Sequence, residues 1–156
     1  MPFPKGHSNS NPFSILLQVN VTGTFNVVRL AAAVIAQNDQ NSAGQRGVII
    51  NTSGIEAFEG RTWHSAVVAA NAAINAMTAP LAKDLGNVGI RVNTIVPGFF
   101  ETPIWKNTTR EVLENAANSK ILSDPADFAQ LVQAIIENPT LNAAIIRLDN
   151  GIRLLP

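Results

Sequence analysis

Few side chains in this sequence could do chemistry, and their spacing narrows the set further. His64 could act as a general acid or base. It lies three residues before Val67 and so shares nearly the same face of a helix. Its plainer reading, beside Trp63, is a surface histidine where a helix begins, and that reading is preferred. His7 lies in a polar leader and reads as solvated. Glu56 and Glu59 form an acidic pair in one loop. They lack a companion ligand, so they read as solvated loop and no metal site is expected. Asp149 opens an Asp149-Asn150-Gly151 turn signal and reads as structural. Cys is absent, which excludes a thiol nucleophile, disulfides and cysteine-ligated zinc. Tyr is absent too, so no phenol is available to move a proton.

These residues need elements to position them. Asn9, Ser10 and Asn11 offer helix caps before Pro12. Phe13, Leu16, Leu17, Val21, Phe25, Val28 and Ala32 then recur at three- and four-residue spacing, which predicts an amphipathic helix to about Ala36. Gly23 inside it suggests close approach by another backbone. A continuous β-branched run, residues 47–51, predicts a strand buried on both faces. A long Ala-rich helix follows over residues 62–85, bent or loosened at Pro80. Residues 89–96 predict a second strand. Two short helices are expected over residues 109–118 and 125–137, the second capped by Ser123 and Asp124 ahead of Pro125. Residues 143–148 predict a third strand. The alternation of helix and strand implies right-handed crossovers, a parallel sheet and helices on both faces.

The chain has 156 residues, enough for one domain. Hydrophobic residues make up 46% and charged residues 14%, which excludes a disordered charged tail. Lys plus Arg equals Asp plus Glu at 11 each, so no basic excess favours nucleic acid or an anionic membrane. Residues 1–13 lack the apolar core of a secretory signal. The apolar stretch over residues 27–36 is too short to span a bilayer. The Asn-x-Ser/Thr triplets at Asn20, Asn51 and Asn107 are read as chance in an Asn-rich chain.

Several stretches resemble the short-chain dehydrogenase/reductase family. They are Asn20-Val-Thr-Gly-Thr-Phe-Asn-Val27, Gly44-Gln-Arg-Gly-Val-Ile-Ile-Asn-Thr52 and Ala57-Phe-Glu-Gly60, then Gly89-Ile-Arg-Val92, Pro97-Gly98 with Thr102-Pro103, and Leu131-Val-Gln-Ala-Ile-Ile-Glu-Asn-Pro139. Within the family they are most similar to a mitochondrial, NAD-dependent branch that works on 3-hydroxyacyl thioesters. The resemblance implies a truncated, Rossmann-like three-layer α/β fold. Residues 1–156 would form a single partial domain without the Gly-rich half that binds the dinucleotide. It implies sites as well. A catalytic Tyr would fall at Val67, its Lys partner at Asn71 and a substrate-positioning Ser at Gly54, with Ser53 one residue early and directed to the opposite face. Asn20 retains the family's residue for a proton-relay water. Pro97, Gly98 and Thr102 match the loop that faces a nicotinamide, here as a vestige or as a turn that ends the strand.

Four expectations follow from that resemblance. The chain is expected to be a non-catalytic scaffolding subunit, a pseudoenzyme, with no bound cofactor of its own. The alternative is one half of a split NAD(P)-dependent oxidoreductase for a hydroxyacyl or hydroxysteroid substrate, completed by a partner. A protein partner is expected, a second copy or a larger assembly, through the helices over residues 11–36 and 62–85. The resemblance points to the mitochondrion, and the absence of an import signal leaves the cytoplasm open.

Overall fold

Apolar and β-branched residues crowd one stretch, Ile90–Pro97, and it forms the middle of the sheet. The computed structural model describes residues 11–60, 64–105 and 122–153. Its three strands are β1 (Gly47–Thr52), β2 (Ile90–Pro97) and β3 (Ile145–Leu148), parallel and in the order β1-β2-β3. Gly47 pairs with Ile90 and Thr52 with Ile95, while Thr94 pairs with Ile145 and Pro97 with Leu148. All three strands therefore end on one side.

A middle strand is paired on both edges and covered on both faces, and β2 is buried from Ile90 to Val96. The sequence predicts the same burial for β1, but Val48, Ile49 and Ile50 are only half-buried. The reason is position: among the described residues β1 is an outer strand, paired along one edge alone. The third strand starts at Ile145 rather than at residue 143. Ahead of it, the Asn142 side chain accepts a hydrogen bond from the Val92 N–H at 2.9 Å, and Ala143 adopts a left-handed φ of 59°.

Side chains alternate across a strand, and that alternation defines the layers. Arg91 and Asn93 project to one face. Arg91 donates to the carbonyls of Ile135, Ile136 and Leu141 and to Gln45 Oε1, and Asn93 Nδ2 donates to the Leu141 carbonyl. Thr94 projects to the other face, where its Oγ1 lies 2.6 Å from Thr78 Oγ1. The sheet thus sits between two helical layers. Arg91 places a positive charge on the carbonyl end of a helix, where the backbone dipole favours it. Burial pulls the Arg91 pKa below its ordinary value.

The helices are α1 (Asn11–Leu17), α2 (Gly23–Ile35), α3 (Ser65–Gly86) and α4 (Pro125–Glu137). A π-helical turn, Gln18–Thr22, joins α1 to α2 inside the single helix that the periodicity predicts. Val28 and Ala32 are buried as predicted, whereas Phe13 and Phe25 are exposed. Among the described residues, no other backbone approaches Gly23; a Cβ there would meet its own helix, at the Gln18 carbonyl. α3 runs unbroken through Pro80. Asp124 caps α4 by accepting from the Ala126 N–H at 2.8 Å, with Pro125 in the first turn. The helix expected over residues 109–118 lies outside the described residues. By length and composition Pro12–Ile35 and Ser65–Gly86 could each cross a membrane, a wider stretch than residues 27–36. Here α3 lies against β2, and its buried Thr78 is bonded to that strand.

Candidate active site

Ligands of open parallel sheets bind beyond the carboxyl ends of the strands. Here those ends carry the loops after Thr52, Pro97 and Leu148. The first loop leaves β1 with the Ser53 N–H still bonded to the Ile95 carbonyl at 3.0 Å, then folds into a short 3-10 turn, Ile55–Ala57. Gly54 is buried, and the side where a Cβ would stand faces Glu56 and α3. A Cβ built there would lie 2.7 Å from Glu56 Oε2 and 3.1 Å from Asn71 Nδ2. Gly54, Glu56 and Asn71 therefore meet in one notch.

Ser53 does not point to the opposite face as expected. The strand ends at Thr52, so its alternation does not persist, and Ser53 also turns to α3. Its hydroxyl donates to Asn75 Oδ1 at 2.7 Å, one turn beyond Asn71. Val67 stands half-buried in the first turn of α3, four residues before Asn71 and on the same face. His64 is the residue on which α3 begins, as the plainer reading expects. Asn20 sits in the π turn, which packs against α3, and its amide donates to the Leu16 carbonyl at 3.0 Å. His7 and Trp63 lie outside the described residues.

Glu59 is not solvated loop. Arg147 Nη2 donates to Glu59 Oε1 at 2.9 Å, and Arg153 Nε lies 3.6 Å from the same oxygen. Arg147 Nε also donates to Asp149 Oδ2 at 2.6 Å, and its guanidinium stacks 5.2 Å from the Phe58 ring centre. Burial acts to lower the Arg147 pKa, but hydrogen bonds and charge from Glu59 and Asp149 outweigh it and hold the pKa above its ordinary value. This cluster ties the β1 loop to the end of β3. A charged residue inside a β-branched strand was the signal for it, and Arg91 in β2 carries the same signal.

Pro97, Gly98 and Thr102 line a cavity of about 320 Å³ with Ile104, Pro125 and Phe128. Gly98 is dictated by packing, since a Cβ there would lie 2.8 Å from the Asp149 Cα. The cavity is at the small end of ligand pockets, about 300–1,000 Å³. Its apolar walls and the Thr102 hydroxyl suit a flat heteroaromatic amide, so these residues fit the nicotinamide end of a dinucleotide. Among the described residues, no cluster of His, Cys, Asp and Glu could hold a metal ion.

Residues 3–113 match the short chain dehydrogenase family. Across 97% of its length the chain is 47% identical to human 3-hydroxyacyl-CoA dehydrogenase type-2, covering 60% of that protein. It is 43% identical to the Drosophila melanogaster protein of that name, over 92% of the chain and 58% of the relative. The crystal structure of 3-hydroxyacyl-CoA dehydrogenase type-2 from Mycobacterium avium superposes with a TM-score of 0.90 at 35% identity, over 96% of this chain and 59% of that one. A 3-oxoacyl-[acyl-carrier protein] reductase with bound NAD from Brucella melitensis gives a TM-score of 0.76 at 25% identity, over 96% and 55%. The chain thus spans under two thirds of the length of these relatives. They are named as enzymes, which overturns the expectation of a pseudoenzyme. One of them holds NAD, which overturns the expectation that no cofactor is involved. With a three-layer parallel fold, a site beyond the strand ends and these relatives, the chain belongs to the short-chain dehydrogenase family.

Proposed function

We propose that this chain carries the substrate- and nicotinamide-facing part of an NAD(P)-dependent oxidoreductase that interconverts 3-hydroxyacyl and 3-oxoacyl thioesters. The observation that carries the reading is the 47% identity to the human dehydrogenase across 97% of the chain, which runs through both site loops. The dinucleotide's phosphates are assigned to the part of the relatives' length that this chain does not span, held in the same polypeptide or in a partner. The edge of β1 that no described strand covers favours such a complement. A cavity of about 280 Å³ lies beside the contact of that strand with α2, lined by Val27, Val28, Ala31, Ile49 and Asn51. Asn51 Nδ2 is buried beside it without a hydrogen-bond partner.

When bound, the nicotinamide supplies the acceptor or donor of hydride. The residues of this chain do the rest. Pro97, Gly98 and Thr102 hold the ring end, with the Thr102 hydroxyl available to the carboxamide. Ile104 and Phe128 give that cavity apolar walls. Gly54 and Asn71 face the reacting oxygen from the β1 side. Val67 has no proton to exchange, so proton transfer falls to another side chain. Subunit contact is assigned to the outer helices, where Val27, Leu30 and Val34 are exposed.

The test is co-expression with the dinucleotide-binding part of a type-2 3-hydroxyacyl-CoA dehydrogenase, followed by NADH-dependent reduction of a 3-oxoacyl-CoA. Turnover is expected from the complex and from neither part alone. A purified complex without turnover overturns the reading.

A further inference from the structure

Oxidation of a secondary alcohol breaks two bonds to hydrogen. The C–H pair leaves as hydride to the nicotinamide, and the O–H proton must go to a base. The notch at Gly54 holds one. Glu56 Oε2 and Asn71 Nδ2 both border the side of Gly54 that lacks a Cβ, at 2.7 and 3.1 Å from the point where one would stand. They are close enough for one hydroxyl oxygen to reach both, donating to the carboxylate and accepting from the amide. Resting on the oxidoreductase reading above, we propose that Glu56 is the proton-transfer carboxylate of this site and that Asn71 positions the substrate oxygen beside it.

The parts depend on one another. A side chain at position 54 would overlap the Glu56 carboxylate, so the glycine makes room for the acid two residues later. The 3-10 turn between them is fixed by the Ala57 N–H on the Gly54 carbonyl at 2.9 Å and the Phe58 N–H on the Ile55 carbonyl at 3.0 Å. Glu59, three residues on, is anchored by Arg147 and Arg153. Among the described residues, the charged or titratable groups around the loop are that cluster with Asp149, and His64 at the head of α3. Glu56 makes no ion pair with them among the described residues. In oxidation the substrate O–H proton passes to the Glu56 carboxylate as the carbonyl forms. In reduction the protonated Glu56 returns it to the oxygen as hydride reaches the carbon.

The proposal has a signature apart from turnover. A carbonyl only accepts hydrogen bonds, so a 3-oxoacyl ligand selects the protonated Glu56 and binding draws a proton from solution. Calorimetric titration of the complemented protein with a 3-oxobutanoyl thioester, in two buffers of different ionisation enthalpy, reads that uptake. Uptake is expected in the wild type and absent in Glu56→Gln. kcat/KM should fall about 10²–10⁴-fold in Glu56→Gln, the usual worth of acid–base catalysis, and recover in part in Glu56→Asp. Wild-type turnover and proton uptake that Glu56→Gln leaves unchanged overturn the proposal alone. Activity that appears only after Val67→Tyr with Asn71→Lys, with none in the wild type, overturns the oxidoreductase reading and this proposal together. No turnover in any of these proteins overturns the oxidoreductase reading and this proposal with it.

Discussion

Arg147 Nη2 donates to Glu59 Oε1 at 2.9 Å, joining two residues that stand 88 positions apart in the chain. The bond fastens the loop that leaves β1 to the strand on the far side of the sheet. Arg147 reaches Asp149 with a second nitrogen, so one guanidinium satisfies two carboxylates that are largely withdrawn from water.

Removing that guanidinium takes the shortest ion pair from both acids and leaves them the longer contacts of Arg153, 3.6 Å to Glu59 and 3.5 Å to Asp149. Arg147→Met should cost about 1–3 kcal/mol, the scale for losing hydrogen bonds between charged groups. Urea denaturation of the two proteins measures it, and a loss under 0.5 kcal/mol would contradict the role. The pH dependence has a definite sign. The folded pKa of Arg147 is raised, so its contribution is complete below the ordinary arginine pKa and is lost only as pH rises beyond it. The difference between wild type and variant should therefore not shrink from pH 7 to pH 10.

Two glycines should respond in opposite ways to the same methyl group. Gly98→Ala drives a Cβ to within 2.8 Å of backbone at Asp149 and should destabilise by about 1–3 kcal/mol. Gly86→Ala, at the end of α3 with open space around it, should be neutral or stabilise by up to about 1 kcal/mol. Thermal melts of both variants make the comparison.

Thr78 and Thr94 share a hydrogen bond that is sealed between α3 and β2, with both residues fully buried. Either threonine changed to valine alone leaves a hydroxyl with a lost partner, at about 1–3 kcal/mol. The double change removes both and should cost less than the sum. A double-mutant cycle reads the coupling, and strict additivity would show that the contact carries no energy.

The exposed apolar side chains of α2 make the assembly testable. Leu30→Lys places a charge on that face, where Val27 and Val34 are also exposed. Sedimentation velocity at micromolar concentration should show an associated wild type and a smaller variant. Equal sedimentation of the two would remove this face from the interface.

Much of the architecture was legible because it rests on local patterns. The β-branched run at residues 89–96 and the Asp124-Pro125 cap located β2 and α4 to within a residue, since period and capping are properties of neighbours in sequence. Burial of β1 was overestimated because an apolar run does not say whether a second strand lies beside it. The notch at Gly54 was not legible. Glu56 and Asn71 are 15 positions apart, and only the 3-10 turn brings the acid back onto the helix face. Glu59 was taken for solvent-exposed because its partners, Arg147 and Arg153, lie at the other end of the chain. Val67 and Asn71 offer neither a phenol nor an ammonium, but the inference from them to an inactive protein did not survive comparison with relatives named as dehydrogenases.

The π turn at Gln18–Thr22 sets the phase of everything downstream in that helix. Each residue advances an α-helix by about 100°, so excising one from this wide turn would rotate α2 by roughly a quarter-turn relative to α1. Val28 and Ala32 would swing away from the strand they cover, while the α1 contact with α3 stayed in place. A single inserted position thus acts as a gearing between two packing surfaces, and length changes there should be far less tolerated than substitutions.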